Sequence, residues 1–451
     1  SDGSDGSDRA GGSDGSDGSD GSDGSVYAVS MGDILKAAYI KPRLRGSIVR
    51  GFQGNPLMND NTYVMHALFT EIISNGSATR SQLCRDYDLR PATLVAVVER
   101  LTRQGFLCEP ERQGRHTGRK ASELTLNPKA GSFIGLELTP SRIYGVLINA
   151  AGVEEKRQSL AVQPDASSKK ICSLLLSIFQ HLRMSSGAGM LGFADPGAID
   201  LKTGRTLQTV NLPAWEQVQV LDFFRSNTAD KTPLIAPETL IRTYAEYLSC
   251  APDFPDTLFH ARFSDGIGSG FINKGELLIG NRCASMELGH LVLSSSGRRC
   301  RCGNRGCLEA LAGGAALRQM MQELTASGVS TRMDMENFTL EQFVRMANAN
   351  DRAAMVLAQE TCERIAPVLA MVTTLLNPQM IVFSGELAGL GNMLLDAVKR
   401  AIAQRCLNNP TEAIQIKISA LDEYSGARTA ALLRRNIFLE HTLHIRPRYA
   451  A

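Results

Sequence analysis

The stretch Glu287–Ala310, ELGHLVLSSSGRRCRCGNRGCLEA, limits what this chain can fold into more than any other. Cys300, Cys302 and Cys307 fall within eight residues, His290 lies ten positions before the first of them, and Gly297, Gly303 and Gly306 punctuate the run. One imidazole and three thiolates are the ligand set of a closed, tetrahedral structural zinc site, and the glycines let backbone fold tightly round an ion. Arg298, Arg299, Arg301 and Arg305 add positive charge that favours thiolates. The competing readings are a redox pair or four unrelated residues, but Cys300 and Cys302 are too close for an easy mutual disulfide. Catalytic zinc fits less well, because four protein ligands leave no open position for water.

At 451 residues the chain is too long for one ordinary core, so two or three domains are expected. The net charge of +2 argues neither for nor against nucleic acid, and any basic surface must be local. The remaining cysteines of the ten are scattered, unlike a secreted disulfide framework, and a reducing cytoplasm is expected. No apolar run is long enough to span a bilayer, and no signal-peptide pattern opens the sequence. Residues 1–25 repeat Ser-Asp-Gly, have nothing to bury and are expected to be disordered, whether native acidic tail or added segment. Residues 26–57 read as a flexible arm.

Folded sequence is expected from about residue 58. NTYVMHALFTEIISNG puts Val64, Leu68 and Ile72 on one helical face and ends at Gly76. Thr79 and Gln82 have capping-box spacing for a short second helix. In RPATLVAVVERLTRQG, Pro91 opens a third helix, Leu94, Val97, Val98 and Leu101 form its buried stripe, and Gly105 ends it. Two strand-like pieces near 106–109 and 122–126 then flank a polar hairpin with Arg112, Arg115, Arg119 and Lys120. Three short helices and a basic hairpin spell a winged helix-turn-helix over 58–128. Arg90, Thr93, Ala96 and Arg100 are the candidate groove contacts, and Arg115, Arg119 and Lys120 the wing contacts to double-stranded DNA. A small helical interaction module is the alternative.

From Phe133 strands and glycine loops alternate with helices, which means an α/β architecture. Helices are expected near 168–184, 216–227, 239–249, 306–326, 340–347, 351–376 and 391–405. The repeated strand–glycine-loop pattern suits a nucleotide- or sugar-binding cleft between two lobes, and the P-loop pattern is missing.

ELGH…CRCGNRGCLE resembles the signature of the ROK family of repressors and sugar kinases. GSFIGLEL, GFADPGAID, NLPAW, SDGIGSGFINKGELL and LLNPQMIVFSGEL resemble successive family motifs, so the resemblance covers roughly residues 60–435. It implies a two-lobed fold of the actin-like ATPase type with a sugar between the lobes. It also implies that the N-terminal winged helix marks a repressor branch. The lobes would span 129–250, with a return segment near 418–435, and 251–417, which leaves 436–451 as a basic tail.

Several positions depart from the kinase pattern. ELTPS, 137–141, stands where the family kinases carry Asp-Leu-Gly-Gly-Thr, and Pro140 offers no N–H to a phosphate. APETL, 236–240, stands at Glu-Asn-Asp-Ala-Asn, with Glu238 at the catalytic base. Asp265 replaces a usual Thr and would repel phosphate. These departures imply loss of kinase activity. The resemblance assigns Gly197, Glu238, Glu287, His290 and Glu309 to a sugar. In the alternative of an ATP-dependent sugar kinase, Glu238 would be the base and Gly266, Gly268, Gly270 and Gly385 would line the nucleotide. The leading expectation is a DNA-binding repressor, dimeric or tetrameric, with a degenerate kinase-like sugar sensor and a structural zinc. A sensor that binds a protein partner is the third reading.

Overall fold

The computed structural model describes residues 60–109, 122–184, 189–200, 203–209, 211–280, 285–407 and 412–443. The Ser-Asp-Gly repeat, the arm and the wing residues Arg112, Arg115, Arg119 and Lys120 lie outside the described residues.

The N-terminal part comprises helix α1 (Asp60–Asn75), strand β1 (Ala78–Thr79), helices α2 (Arg80–Tyr87) and α3 (Pro91–Arg103), and strands β2 (Leu107–Cys108) and β3 (Glu123–Leu126). The strands pair antiparallel in the order β1-β3-β2. Thr79 caps α2, its Oγ1 accepting from the Gln82 backbone at 3.2 Å. The Gln82 side chain does not complete a capping box. It donates to Glu71 on α1 at 2.5 Å and so ties two helices together. Leu94, Val97, Val98 and Leu101 are all buried, packed with Leu68, Phe69 and Ile72 of α1.

The first lobe follows: β4 (Ser132–Leu138), β5 (Arg142–Asn149), β6 (Glu154–Ala161), α4 (Ser168–Arg183), β7 (Met190–Asp195), β8 (Ala198–Asp200), β9 (Arg205–Gln208), α5 (Val220–Asn227), β10 (Leu234–Pro237) and α6 (Glu238–Leu248). The second lobe holds β11 (Thr257–Phe263), β12 (Ile267–Asn273), β13 (Glu276–Leu277), α7 (Leu308–Ala312), α8 (Gly314–Ala326), α9 (Leu340–Asn348), α10 (Arg352–Leu376), β14 (Met380–Ser384), α11 (Asn392–Arg405) and β15 (Gln415–Ile418). The five-stranded sheets run β6-β5-β4-β7-β10 and β13-β12-β11-β14-β15. In each, the first three strands form an antiparallel meander and the last two join it parallel. The lobes therefore repeat one topology; one apolar core lies within the second lobe, and the other joins the first lobe to one face of the second sheet through Leu258, Ile272, Met380 and Val382.

The last helix, α12 (Ser425–Leu443), departs from the expected organisation. The segment from Asn436 continues the helix to Leu443 instead of forming a tail. Ala427 and Ala431 pack on Phe133 and Val146, Ala430 and Leu433 join the first-lobe core, and Leu439 and Leu443 enter the core of the N-terminal helices. The helix is buried on nearly all sides, and this includes Arg434 and Arg435. Arg434 is held by a two-pronged pair with Asp230 at 3.0 Å, and Arg435 donates to the Asn436 side chain at 2.8 Å. Buried charges are tolerated only with such partners.

Candidate functional site

A cavity of about 330 Å³ lies between the two sheets, with walls drawn from both lobes. On its second-lobe side, His290 closes a short 3₁₀ turn after Glu287, and Cys307 pairs with Val292 in an antiparallel bridge. The Cys300 N–H donates to the Asn304 carbonyl at 2.8 Å and closes the loop between the thiols. Gly306 sits at φ +69°, and a Cβ there would lie 1.8 Å from the Ser294 carbonyl, so only glycine allows this fold. The four candidate ligand atoms lie within 4.8 Å of one another. Cys302 Sγ and Cys307 Sγ are 3.7 Å apart, as are Cys300 Sγ and His290 Nδ1. A tetrahedron with metal–sulfur bonds of about 2.3 Å has edges of about 3.8 Å. Burial pushes the Cys307 thiol up to about 12. Burial also raises Cys300, whereas hydrogen bonds outweigh burial and lower Cys302, so a cation that takes up charge is needed before all three become thiolates. The residues therefore fit a metal ion.

The same wall carries the acids expected to hold a sugar. Glu309, on α7, accepts from the Ile267 N–H at 2.8 Å through Oε2, which fixes the carboxylate against the glycine loop and leaves Oε1 free of that contact. Glu287 and His290 both line the cavity. With Nδ1 turned to the sulfur cluster, His290 has Nε2 left for a ligand. Burial raises the pKa of Glu287 and of Glu309.

The first-lobe floor of the cavity rests on Asp195 at the end of β7. Its Oδ1 accepts from the Gly197 N–H at 2.8 Å, and its Oδ2 accepts from Thr206 Oγ1 and Trp215 Nε1, both at 2.9 Å. Asp195 and Trp215 are fully buried. Burial pushes the Asp195 carboxyl up to about 6 against the pull of those three donors. The knot clamps the Pro196-Gly197 loop to the β8–β9 hairpin and to Asn-Leu-Pro-Ala-Trp. Sequence reading saw both motifs and missed the link between them, because its only signal was one acid at the end of an apolar strand.

The remaining wall, expected from the sequence to be the phosphate side, is lined and backed by its own charges. Glu238 opens α6, and its Oε1 lies at ion-pair distance from Arg242 Nε, 2.7 Å, and Arg262 Nε, 3.0 Å, although it accepts a hydrogen bond from neither. Arg242 also grips the fully buried Glu137, Nε to Oε1 at 2.6 Å and Nη2 to Oε2 at 2.9 Å. Burial drives the Glu137 carboxyl upward, to about 7, and Arg242 opposes that shift. Pro140 and Asp265 line the cavity with Gly266 and Gly268. Gly270 packs against Thr243 and Gly385 against the Phe263 backbone, and neither is among the lining residues. Arg242 and Arg262 were not singled out in the sequence, where isolated arginines on a helix and a strand carry no signal.

On α3, Arg90 and Ala96 are exposed and Thr93 is half-buried. Arg100 is half-buried and donates to Met65 Sδ at 3.0 Å, which lays its guanidinium on α1. Ala92, Val95, Glu99 and Arg103 are also exposed on this helix and were not anticipated as contacts. Among the described residues no helix is long and apolar enough to cross a membrane.

The N-acetylglucosamine repressor of Escherichia coli O157:H7 is 25% identical over 391 residues, covering 84% of this chain and 94% of that protein. A crystal structure of a ROK family transcriptional regulator, a homologue of the E. coli MLC protein, superposes with a TM-score of 0.71 at 20% identity, covering 86% of this chain and 99% of that one. A ROK family glucokinase from Streptomyces griseus, solved with glucose and AMPPNP, gives a TM-score of 0.58 at 19% identity and covers 67% of this chain and 98% of its own. The regulator matches more of this chain than the kinase does. The ROK family profile matches residues 133–437, and this chain belongs to the ROK family.

Proposed function

We propose that this chain is a sugar-responsive, DNA-binding transcriptional repressor whose kinase-like lobes bind without catalysing. The observation that carries this reading is the division of the cavity. Its metal-side wall presents Glu287, His290 and Glu309 to one space, whereas Glu238 is occupied by Arg242 and Arg262. A carboxylate that faces two guanidinium groups at ion-pair distance is held away from the reach of a substrate hydroxyl that a general base needs. Among the described lining residues Arg262 is the sole Arg or Lys, so no unpaired one is offered to a phosphate. The similar repressor supports the regulatory role, and N-acetylglucosamine is what that relative's name specifies.

In this reading Zn²⁺ is the ion held by His290, Cys300, Cys302 and Cys307, and it acts structurally, fixing the imidazole against the sugar. The winged helix reads an operator with α3. Arg90, Thr93 and Ala96 reach the groove, Arg100 steadies the helix on α1, and the wing basics Arg115, Arg119 and Lys120 meet phosphate. A dimer or tetramer in a reducing cytoplasm would place paired heads on a two-fold operator. The test is selection of duplexes from a random pool by the zinc-loaded full chain, then affinity with and without N-acetylglucosamine, glucose, their 6-phosphates and ATP. A duplex released at least tenfold by one sugar, with no ATP consumed, supports the reading. Failure to enrich any duplex removes the DNA role, and sugar-dependent ATP consumption restores the kinase.

A further inference from the structure

We propose that Arg242 is the positioning residue that couples the cavity to the N-terminal helices, through the two ends of α12. The inference rests on the regulator reading for its biological meaning but not for its test. A continuous run of contacts carries it. Arg262 belongs to β11 of the second lobe, and Glu238 opens α6 of the first, so their 3.0 Å ion pair crosses the cleft. Both line the cavity, and a ligand's hydroxyl groups can compete for either. Arg242 is not among the lining residues. It meets the cleft through Glu238, one helical turn away.

On its other side Arg242 holds the start of α12. Its Nη1 donates to Ser425 Oγ at 3.3 Å and its Nη2 to the Glu423 carbonyl at 3.2 Å. Its partner Glu137 lies so close to Gly426 that a Cβ there would come within 2.4 Å of the carboxylate. The guanidinium is thus a planar fork with one side on the cleft and the other on a helix end. From that end α12 runs 19 residues without interruption to Leu439 and Leu443, which sit in the core of α1, α2 and α3. A packed helix moves as a unit, so a small shift at Ser425 is delivered to the N-terminal helices.

Ligand binding that draws Glu238 away leaves Arg242 with Glu137 and α12 alone, and binding that draws Arg262 away leaves Glu238 to Arg242 alone. The helix end then follows a differently held guanidinium. A purely structural Arg242 would stabilise the protein without making its far end depend on Glu238. The distinction is measurable as non-additivity.

The experiment is hydrogen–deuterium exchange on the full-length, zinc-loaded chain without ligand. It compares wild type, Glu238→Gln, Arg242→Lys, Arg242→Met and the doubles of each Arg242 variant with Glu238→Gln. Glu238→Gln should raise exchange several-fold in the last two turns of α12 and in α1 and α3. In the Arg242→Lys background, which keeps the charge but loses the fork, the same change should have no further effect at those sites. Arg242→Lys guards against a misfolded Arg242→Met. Exchange changes confined to α6 and β11, or effects that simply add in the double variants, would overturn the proposal. A companion measurement adds 10 mM N-acetylglucosamine or glucose. A sugar that stabilises wild type yet alters the N-terminal helices equally in Arg242→Lys would overturn the coupling while leaving the sensor reading intact. No stabilisation by any sugar would count against the sensor reading and leave the exchange result to decide the coupling.

Discussion

The two walls of the cavity have diverged in opposite directions. The metal-side wall keeps its groups open: Glu287 and His290 face the space, and Glu309 is pinned by one oxygen to the Ile267 N–H. The opposite wall has closed on itself, with Glu137, Arg242, Glu238 and Arg262 exchanging their charges among one another. A polar side chain is available to a ligand only when its neighbours leave it unsatisfied. The contrast is between a half of the pocket whose polar groups face open space and a half whose charges face one another.

The strongest way to break that contrast is to remove the metal side. Cys307→Ser, or exhaustive chelation, should take bound zinc from one equivalent to none and cost several kcal/mol of stability, read by elemental analysis and calorimetry. Retention of the wild-type melting temperature without zinc would show that the wall stands unaided. Next is the floor. The folded Asp195 carboxyl lies near 6, above an ordinary aspartate value near 4, so the fold holds its proton more tightly than the unfolded chain does. Its contribution is fully present below about pH 4 and is lost as pH rises through about 6. Relative to Asp195→Asn, the wild type should therefore lose about 2–3 kcal/mol between pH 4 and 6.5 and be level above that. A flat difference would place the carboxyl in its ionised form throughout.

Glu309→Gln should weaken the sugar that stabilises wild type by 10- to 100-fold, about 1.5–3 kcal/mol, while zinc content stays at one equivalent. Calorimetric titration would sharpen the division between holding metal and holding ligand. The smallest effect is expected on the closed wall. The double change Pro140→Gly and Asp265→Thr restores a glycine and a threonine to the phosphate side, yet Arg242 and Arg262 remain paired. ATP should shift its melting temperature by less than about 1 °C, the sign of occupancy below the dissociation constant. A clear ATP shift would mean that two side chains, not the charge network, had closed the wall.

Much of this was legible along the chain. The Cys300–Cys307 spacing with His290, the Thr79 cap, the Pro91 start and the stripe of α3 are local signals, because caps, turns and helical periodicity depend on residues a few positions apart. The strand–glycine-loop alternation likewise announced an α/β fold. What sequence reading missed depends on long-range partners. The segment from Asn436 was expected to be a basic tail, and burial of the helix that carries it depends on Asp230, some 200 residues away, which makes burial of Arg434 tolerable. Trp215 and Asp195 were seen in separate motifs until the fold joined them. Glu238 was recognised by its place in a pattern, but that Arg262 on the other lobe lies 3.0 Å from it only the fold shows. By itself the sequence determined which segments become helices, strands and a cysteine loop, since those choices are made by neighbours on the backbone. Tertiary structure alone decided which charges remain available, because the availability of a charged group is a property of what the fold places within about 4 Å of it.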